Sequence, residues 1–338
     1  MTMKFGFCVP NFAGANDSHP RTPLVERFDA RQMANAVREA EALGYDSVWV
    51  ADHLMLGRDD SVLEGWTTLC YLAGITTRVR LGTIHLANAF RHPSITAKMA
   101  ASLDVISHGR LDLFFEPGHK GSIREAEAYG YGWEEDAVRR DRFLEAIQVL
   151  RAMWTEDRSS FKGRFYTIEN AVCYPRPVQR PIPLWIGAIG GEVLSEGVGM
   201  NELMVDAIAR EADWWNNTPA SPDYCRRALG MLRDACGRAG RDYGAIGKSL
   251  ETQVLVAESQ AQVRRIQERI ERLNPQRAFY RDWEALRERY IMGDVAQVTA
   301  RIQQYADLGI SYTMLWFMDY PSLDGLRLFA DKVVPHFR

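Results

Sequence analysis

A strand-then-helix unit recurs along this chain, and that recurrence limits the fold more than any other feature. Residues 81–104, LGTIHLANAFRHPSITAKMAASLD, show the unit clearly. A strand pattern (Val79, Leu81, Ile84) meets a stop at Arg91-His92-Pro93. A helix follows whose apolar face carries Ile95, Met99 and Leu103. Strands are expected at residues 4–10, 47–50, 79–85, 110–115, 184–188, 212–216, 251–257 and 312–317. Helical patterns at 31–43, 63–75 and 94–106 separate the first four. Such alternation makes the strands parallel, because each right-handed crossover returns the chain in the same sense. Eight units over 338 residues is the count for an α/β fold of the TIM (β/α)8 barrel type. An open doubly wound sheet is the rival. Its Gly-rich first turn is missing, since the first strand runs into PNFAGAND.

One domain spanning 1–338 accounts for the length if two insertions are allowed. The first, 159–181, reads as a hairpin around Lys162-Gly163 followed by a Pro-rich crossing. The second, 260–290, is charged and helical, with Phe279, Tyr280 and Trp283. Both are expected at the C-terminal face of the strands, where barrels carry their active-site loops. A net charge of −3 gives no overall attraction for nucleic acid or an anionic membrane. The longest apolar runs fall well short of the ~20 residues that span a bilayer. The opening MTMKFGFCVPNF enters a strand pattern directly, and five scattered cysteines form no CxxC pair. A cytoplasmic protein without disulfides or structural zinc is therefore expected.

Barrel chemistry sits at the C-terminal ends of the strands, so the polar residues there are the candidates. The second strand ends in Asp52-His53, placed to bind or move protons, or else to cap a loop. The third ends in Ile84-His85 and Asn88, whose polar groups need partners in a ligand or a neighbouring loop. The fourth runs into Glu116-Pro117-Gly118-His119-Lys120-Gly121-Ser122, an anion cradle or a solvated loop. The fifth runs into Gly187-Ala188-Ile189-Gly190-Gly191, with Gly199-Met200 soon after. There backbone N–H groups could close on a phosphate. No metal is expected: the seven histidines make no H-x-H or H-E-x-x-H. No G-x-S-x-G elbow is present either. The chemistry is then expected to belong to an organic cofactor.

The phrases AEALGYDSVWVADH (40–53), TTRVRLGT (76–83), RHPSITAKMAASLDVISHGRLDL (91–113) and EAEAYGYGWEE (125–135) occur in that order. They are followed by RFLEAIQVLRAMW, FKGRFYTIENA, PRPVQRPIPLWIGA, AREADWWN and GDVAQVTARIQQYADLGISYTMLWF. In these the chain resembles the bacterial luciferase-like monooxygenase family, which includes both flavin-dependent monooxygenases and deazaflavin F420-dependent oxidoreductases. The resemblance implies a barrel that binds FMN or coenzyme F420 over the strand C-termini. It implies a non-proline cis peptide at Ile84–His85. It places Asp52 and His53 beside the ring, with Ile84, His85, Asn88, Glu116, Gly118 and His119 along the ring or ribityl chain. Ala188, Ile189, Gly190, Gly199 and Met200 fall at the phosphate. Two departures stand out: a bulky, acidic fourth-strand end (Phe114-Phe115-Glu116-Pro117) and a stretch resembling an insertion at 191–200. His85 is also unusual for its position.

The main expectation is an FMN-dependent monooxygenase. It would take reduced FMN from a separate flavin reductase and use O2 to oxidise a small organic substrate, with His53, His85 and Asp52 as catalytic groups. The alternative is F420-dependent hydride transfer on the same fold, and a second alternative is a non-catalytic flavin-binding protein. Trp214, Trp215, Trp316 and Phe317, with the 260–290 insertion, are expected to form an apolar lid or part of the core. A homodimer through the helices at 63–75 and 94–106 is expected.

Overall fold

The structure is a computed structural model that describes residues 2–14, 20–118, 120–189 and 200–338. In chain order its strands are β1 (Lys4–Val9), β2 (Ser47–Ala51), β3 (Arg80–Ile84), β4 (Leu86–Ala87), β5 (Leu111–Glu116), β6 (Ser159–Lys162), β7 (Thr167–Ala171), β8 (Leu184–Ile189), β9 (Trp214–Asn217), β10 (Gly247–Ala257), β11 (Ile291–Asp294) and β12 (Tyr312–Phe317). Its helices are α1 (Ala30–Ala42), α2 (Gly65–Ile75), α3 (Pro93–Ile106), α4 (Ile123–Ala128), α5 (Asp136–Thr155), α6 (Met200–Glu211), α7 (Pro222–Ala239), α8 (Gln260–Leu273), α9 (Trp283–Arg289), α10 (Val295–Asp307) and α11 (Asp324–Leu328).

Parallel pairing runs β1-β2-β3-β5-β8-β9-β10-β12 and returns to β1, closing an eight-stranded barrel. Local sequence starts several of the outer helices. Asp29 accepts the backbone N–H of Arg31 and Gln32 to cap α1. Pro93 opens α3, and Ser221 caps α7, which ends on left-handed Gly240.

All eight expected strands are present. β10 starts at Gly247, four residues before the sequence expectation, because Lys248 and Ser249 hide its first turn of alternation. Ser249 faces inward, where its hydroxyl donates to Trp215 O and Asn216 Oδ1. The short β11 was not foreseen. It extends the sheet outside the barrel, alongside the C-terminal half of β10.

The 260–290 insertion forms α8 and α9, joined by a turn, and builds a small core of its own from Leu24, Val263, Ile270, Tyr280, Leu286 and Met292. The β6–β7 hairpin lies in the connection from α5 to β8. Because α5 runs antiparallel to the strands, the hairpin springs from the N-terminal end of the barrel, not from the expected C-terminal face. It then climbs α5. Glu145 accepts the backbone N–H groups of Arg164 and Phe165, and the Tyr166 hydroxyl reaches Asn88 at the upper rim.

Aromatic rings fill the barrel. Trp185 and Trp214 stack with ring centroids 4.5 Å apart, and Trp49 packs edge-on against Trp185 at 4.9 Å. Ser47 accepts both the Trp49 indole N–H (2.6 Å) and the Tyr312 hydroxyl (2.5 Å), so this layer leaves neither group unmet. Trp214 lies at the start of β9 and is therefore low in the barrel. Trp215 and Phe317 face the outer helices. These three residues are core and form no lid.

Rings this large fit only where the facing strands carry no side chain. A Cβ on Gly82 would sit 2.1 Å from the Trp49 ring, and one on Gly6 would sit 2.6 Å from its Nε1. Gly82→Ala is expected to destabilise the fold by about 1–3 kcal/mol through overpacking, and Gly82→Ala/Trp49→Leu to recover part of that loss. Urea unfolding of the three proteins measures this, and equal stabilities would contradict the packing argument.

Candidate active site

The polar groups at the barrel mouth form two clusters, one on the rim and one inside. On the rim, His53 follows β2 and points its Nδ1 at Glu125 Oε1 of α4, 2.7 Å away. The other Glu125 oxygen accepts the backbone N–H groups of Leu54 (2.6 Å) and Met55 (3.0 Å). Burial pushes the Glu125 carboxyl up, but His53 and these two amides outweigh it, and its pKa is lowered. Glu125 therefore stays ionised. It orients the imidazole as an N–H donor at Nδ1, which makes Nε2 the acceptor in the neutral ring. Glu125 was quoted in the family phrase but not singled out. Its sequence distance from His53 hides the pairing.

Asp52 behaves differently from its neighbour. Arg91 grips it with both terminal nitrogens, each at 2.7 Å, and it also accepts Ala87 N–H at 3.3 Å. Arg91 extends to Glu64 at 2.6 Å. Asp52 is thus a buried anchor between the ends of β2 and β4. It holds the chain end from which His53 projects.

Inside the mouth stands His85, next to a cis Ile84–His85 bond, as the resemblance implied. Its Nδ1 lies 3.3 Å from Glu116 Oε2, and its Nε2 lies 3.4 Å from Glu251 Oε2. The Phe114 ring is 4.2 Å from the imidazole, centroid to centroid. Inward-facing Phe114 and Glu116, on alternate positions of β5, are the bulky, acidic strand end noted in the sequence, and both serve to hold His85. Glu251 is fully buried. It accepts Arg21 at 2.8 Å and the Trp316 indole N–H at 2.7 Å. Sequence reading missed Glu251 and Arg21, because a carboxylate within a strand carries no motif. Desolvation disfavours the His85 cation, yet Glu116 and Glu251 overcome it, and its pKa is pushed up to about 9. Burial raises the Glu251 carboxyl, while Arg21 and His85 lower it further, leaving it well below the usual carboxylate range.

The remaining expected residues divide. Asn88 is buried and donates its amide N–H to the Tyr166 hydroxyl at 3.1 Å. Gly118 takes φ +90°, and a Cβ there would meet Trp133 at 3.2 Å. Ala188 and Ile189 close β8, and Met200 opens α6, so their backbones flank the expected phosphate turn. His119, Gly190 and Gly199 lie outside the described residues.

His85 Nε2 and Glu251 Oε2 meet each other at 3.4 Å. Two polar groups buried around the mouth have side-chain atoms with no hydrogen-bond partner: Asn88 Oδ1 and both amide atoms of Gln253. Groups buried in this way need a partner, and here they offer both donors and acceptors. A planar heterocycle edged with carbonyl and N–H groups fits that set. Flavin and deazaflavin share such an edge, so the residues fit either one.

The luciferase-like monooxygenase profile matches residues 3–312. The chain belongs to this family. It is an oxidoreductase built on the family's TIM barrel. An F420-dependent glucose-6-phosphate dehydrogenase of Kineococcus radiotolerans is 26% identical over 332 residues, covering 93% of this chain and 95% of the relative. Two solved structures share the fold. One is an F420-dependent secondary alcohol dehydrogenase in complex with an F420–acetone adduct, at 19% identity, TM-score 0.77 and full coverage of both chains. The other is the EDTA monooxygenase of Chelativorans sp. BNC1, at 16% identity and TM-score 0.78, covering 100% of this chain and 94% of that one.

The raised pKa of His85 makes stability depend on pH. A proton held more tightly in the folded state contributes stability that is complete below about pH 6.5 and is lost as pH rises through about 9. Wild type is therefore expected to exceed His85→Gln in stability most at pH 6, with the gap narrowing by pH 9.5. Chemical denaturation across that range tests this, and a gap independent of pH would contradict a charged His85.

Proposed function

We propose that this protein is an F420-dependent oxidoreductase. In this reading it transfers a hydride between the coenzyme and the carbinol carbon of a small hydroxylated substrate. The observation that carries the reading is the His53–Glu125 pair at the mouth, held at 2.7 Å and steadied by two backbone amides. The F420-dependent name of a relative aligned over nearly the whole chain supports the deazaflavin over the FMN monooxygenase expected first.

Oxidation of an alcohol breaks one C–H and one O–H bond, releasing a hydride and a proton and leaving a carbonyl. The deazaflavin, when bound, supplies the hydride acceptor. His53 takes the hydroxyl proton at Nε2, and ionised Glu125 stabilises the imidazolium that results. Asp52, clamped by Arg91, fixes the backbone from which His53 projects. His85 keeps a positive charge inside the mouth, balanced by Glu116 and Glu251. In the reverse direction His53 returns its proton to the carbonyl oxygen. A non-catalytic flavin carrier would have no use for a buried, backbone-anchored His–Glu pair.

Under this reading no separate flavin reductase is needed. Exposed Tyr71 on α2 and Ile95 and Ile106 on α3 fit the homodimer contact expected for those helices. No helix among the described residues is long and apolar enough to cross a membrane, and we place the enzyme in the cytoplasm.

His53→Ala is expected to lower kcat for F420 reduction by about 10²–10⁴-fold, with Glu125→Gln reducing it less. Loss of deazaflavin absorbance under nitrogen, with a panel of secondary alcohols and sugar phosphates, measures it. Product formation only with reduced FMN and oxygen would overturn the proposal in favour of the monooxygenase.

A further inference from the structure

A cavity of about 600 Å³ lies between α8 and α11, and the proposed hydride transfer leaves it unused. Val256 of β10 and Asp319, from the loop after β12, are among its walls. It stands outside the barrel mouth. Asp319 continues the alternation of Leu315 and Phe317, which pack toward the outer helices, whereas Trp316 between them points inward to Glu251.

Asp319 is only 5% exposed. Its Oδ2 accepts the Gly325 backbone N–H at 2.8 Å, but its Oδ1 has no donor. Burial pushes the Asp319 pKa up to about 6, against the pull of the Gly325 amide, so the group is ionised at pH 7.5. A buried carboxylate oxygen in that state calls for a donor. Gly325 leaves room for one, since a Cβ there would sit 2.6 Å from Oδ1.

The α8 wall has the opposite need. Arg265 and Arg269 stand one turn apart on its exposed face, and both line the cavity. Neither pairs with a carboxylate among the described residues. The third arginine of the lining, Arg327, is already held by Glu39 at 2.8 Å. Two neighbouring guanidinium groups match the oxygens of one carboxylate. Ile266 and Leu328 add apolar lining for a short carbon chain, and the volume is that of a small-molecule site. A plain amine would answer Asp319 and face two uncompensated arginines. A plain anion would answer the arginines and bring Asp319 no donor. A molecule carrying both charges serves both walls.

We propose that this cavity binds a small amino acid-like zwitterion, its protonated amine on Asp319 and its carboxylate against Arg265 and Arg269. Calorimetric titration of the full chain at pH 7.5 tests this with four-carbon probes. γ-Aminobutyrate and 2-aminobutyrate carry both charges at different spacings, butyrate lacks the amine, and butylamine lacks the carboxylate. At least one of the two amino acids is expected to bind about tenfold or more tighter than both single-charge probes. Asp319→Asn removes the advantage over butyrate and keeps the fold, because burial already favours an uncharged group there and the amide oxygen still accepts the Gly325 N–H. Gly325→Ala sets a methyl against Oδ1 and blocks the same ligand without removing a charge. Arg265→Gln/Arg269→Gln, on the exposed face, removes the advantage over butylamine. Butylamine binding as tightly as either amino acid would assign a bare cation site and overturn the proposal. Failure of both amino acids to bind, or binding undiminished by Asp319→Asn, overturns it as well. Binding is read without turnover, so the outcome is independent of the hydride-transfer assay.

Discussion

A carboxylate buried at the centre of a barrel shapes the mouth of this molecule. Glu251 points inward from the middle of β10 with no exposure to solvent. A buried charge with a partner missing costs about 3–5 kcal/mol, so the surrounding chain has to supply counter-charge. Arg21 comes from the segment after β1, His85 from the bulge after β3, and the Trp316 indole from β12. Each contact ties a different part of the chain to the same point. The N-terminal segment is drawn over the barrel and His85 is drawn into it, and a second carboxylate, Glu116, completes the charge balance.

That interior network frees the rim for a different task. His53 and Glu125 sit away from the Glu251 cluster and take their order from backbone amides and from the Asp52–Arg91 clamp. The mouth therefore holds one histidine kept charged by two carboxylates and another presented to the outside by a single carboxylate. The polar atoms left unmatched between the two clusters suit a heterocycle with hydrogen-bonding edges.

The barrel was legible because period-two and period-3.6 patterns alternate along most of the chain. Where they did not, polar residues inside a strand concealed it, as Lys248 and Ser249 did for β10. The rim histidine and the histidine at the cis bond were legible from their place at strand ends. Their partners were not. Glu125 lies 72 residues from His53 and Glu251 lies 230 from Arg21, and no spacing rule links such pairs. The aromatic residues at the start of β9 looked fit for a lid because composition does not report height along a barrel axis.

The sequence by itself determined the number of barrel strands, their parallel sense and the family. These follow from local periodicity and from residues adjacent in the chain. Tertiary structure alone decided which carboxylate serves which histidine, that Arg91 clamps Asp52, and that the hairpin rises from the lower end of the barrel. Closing eight strands into a ring brings residues from opposite ends of the chain within a few ångströms. The charges that meet there set one another's protonation, a property no single segment possesses before closure.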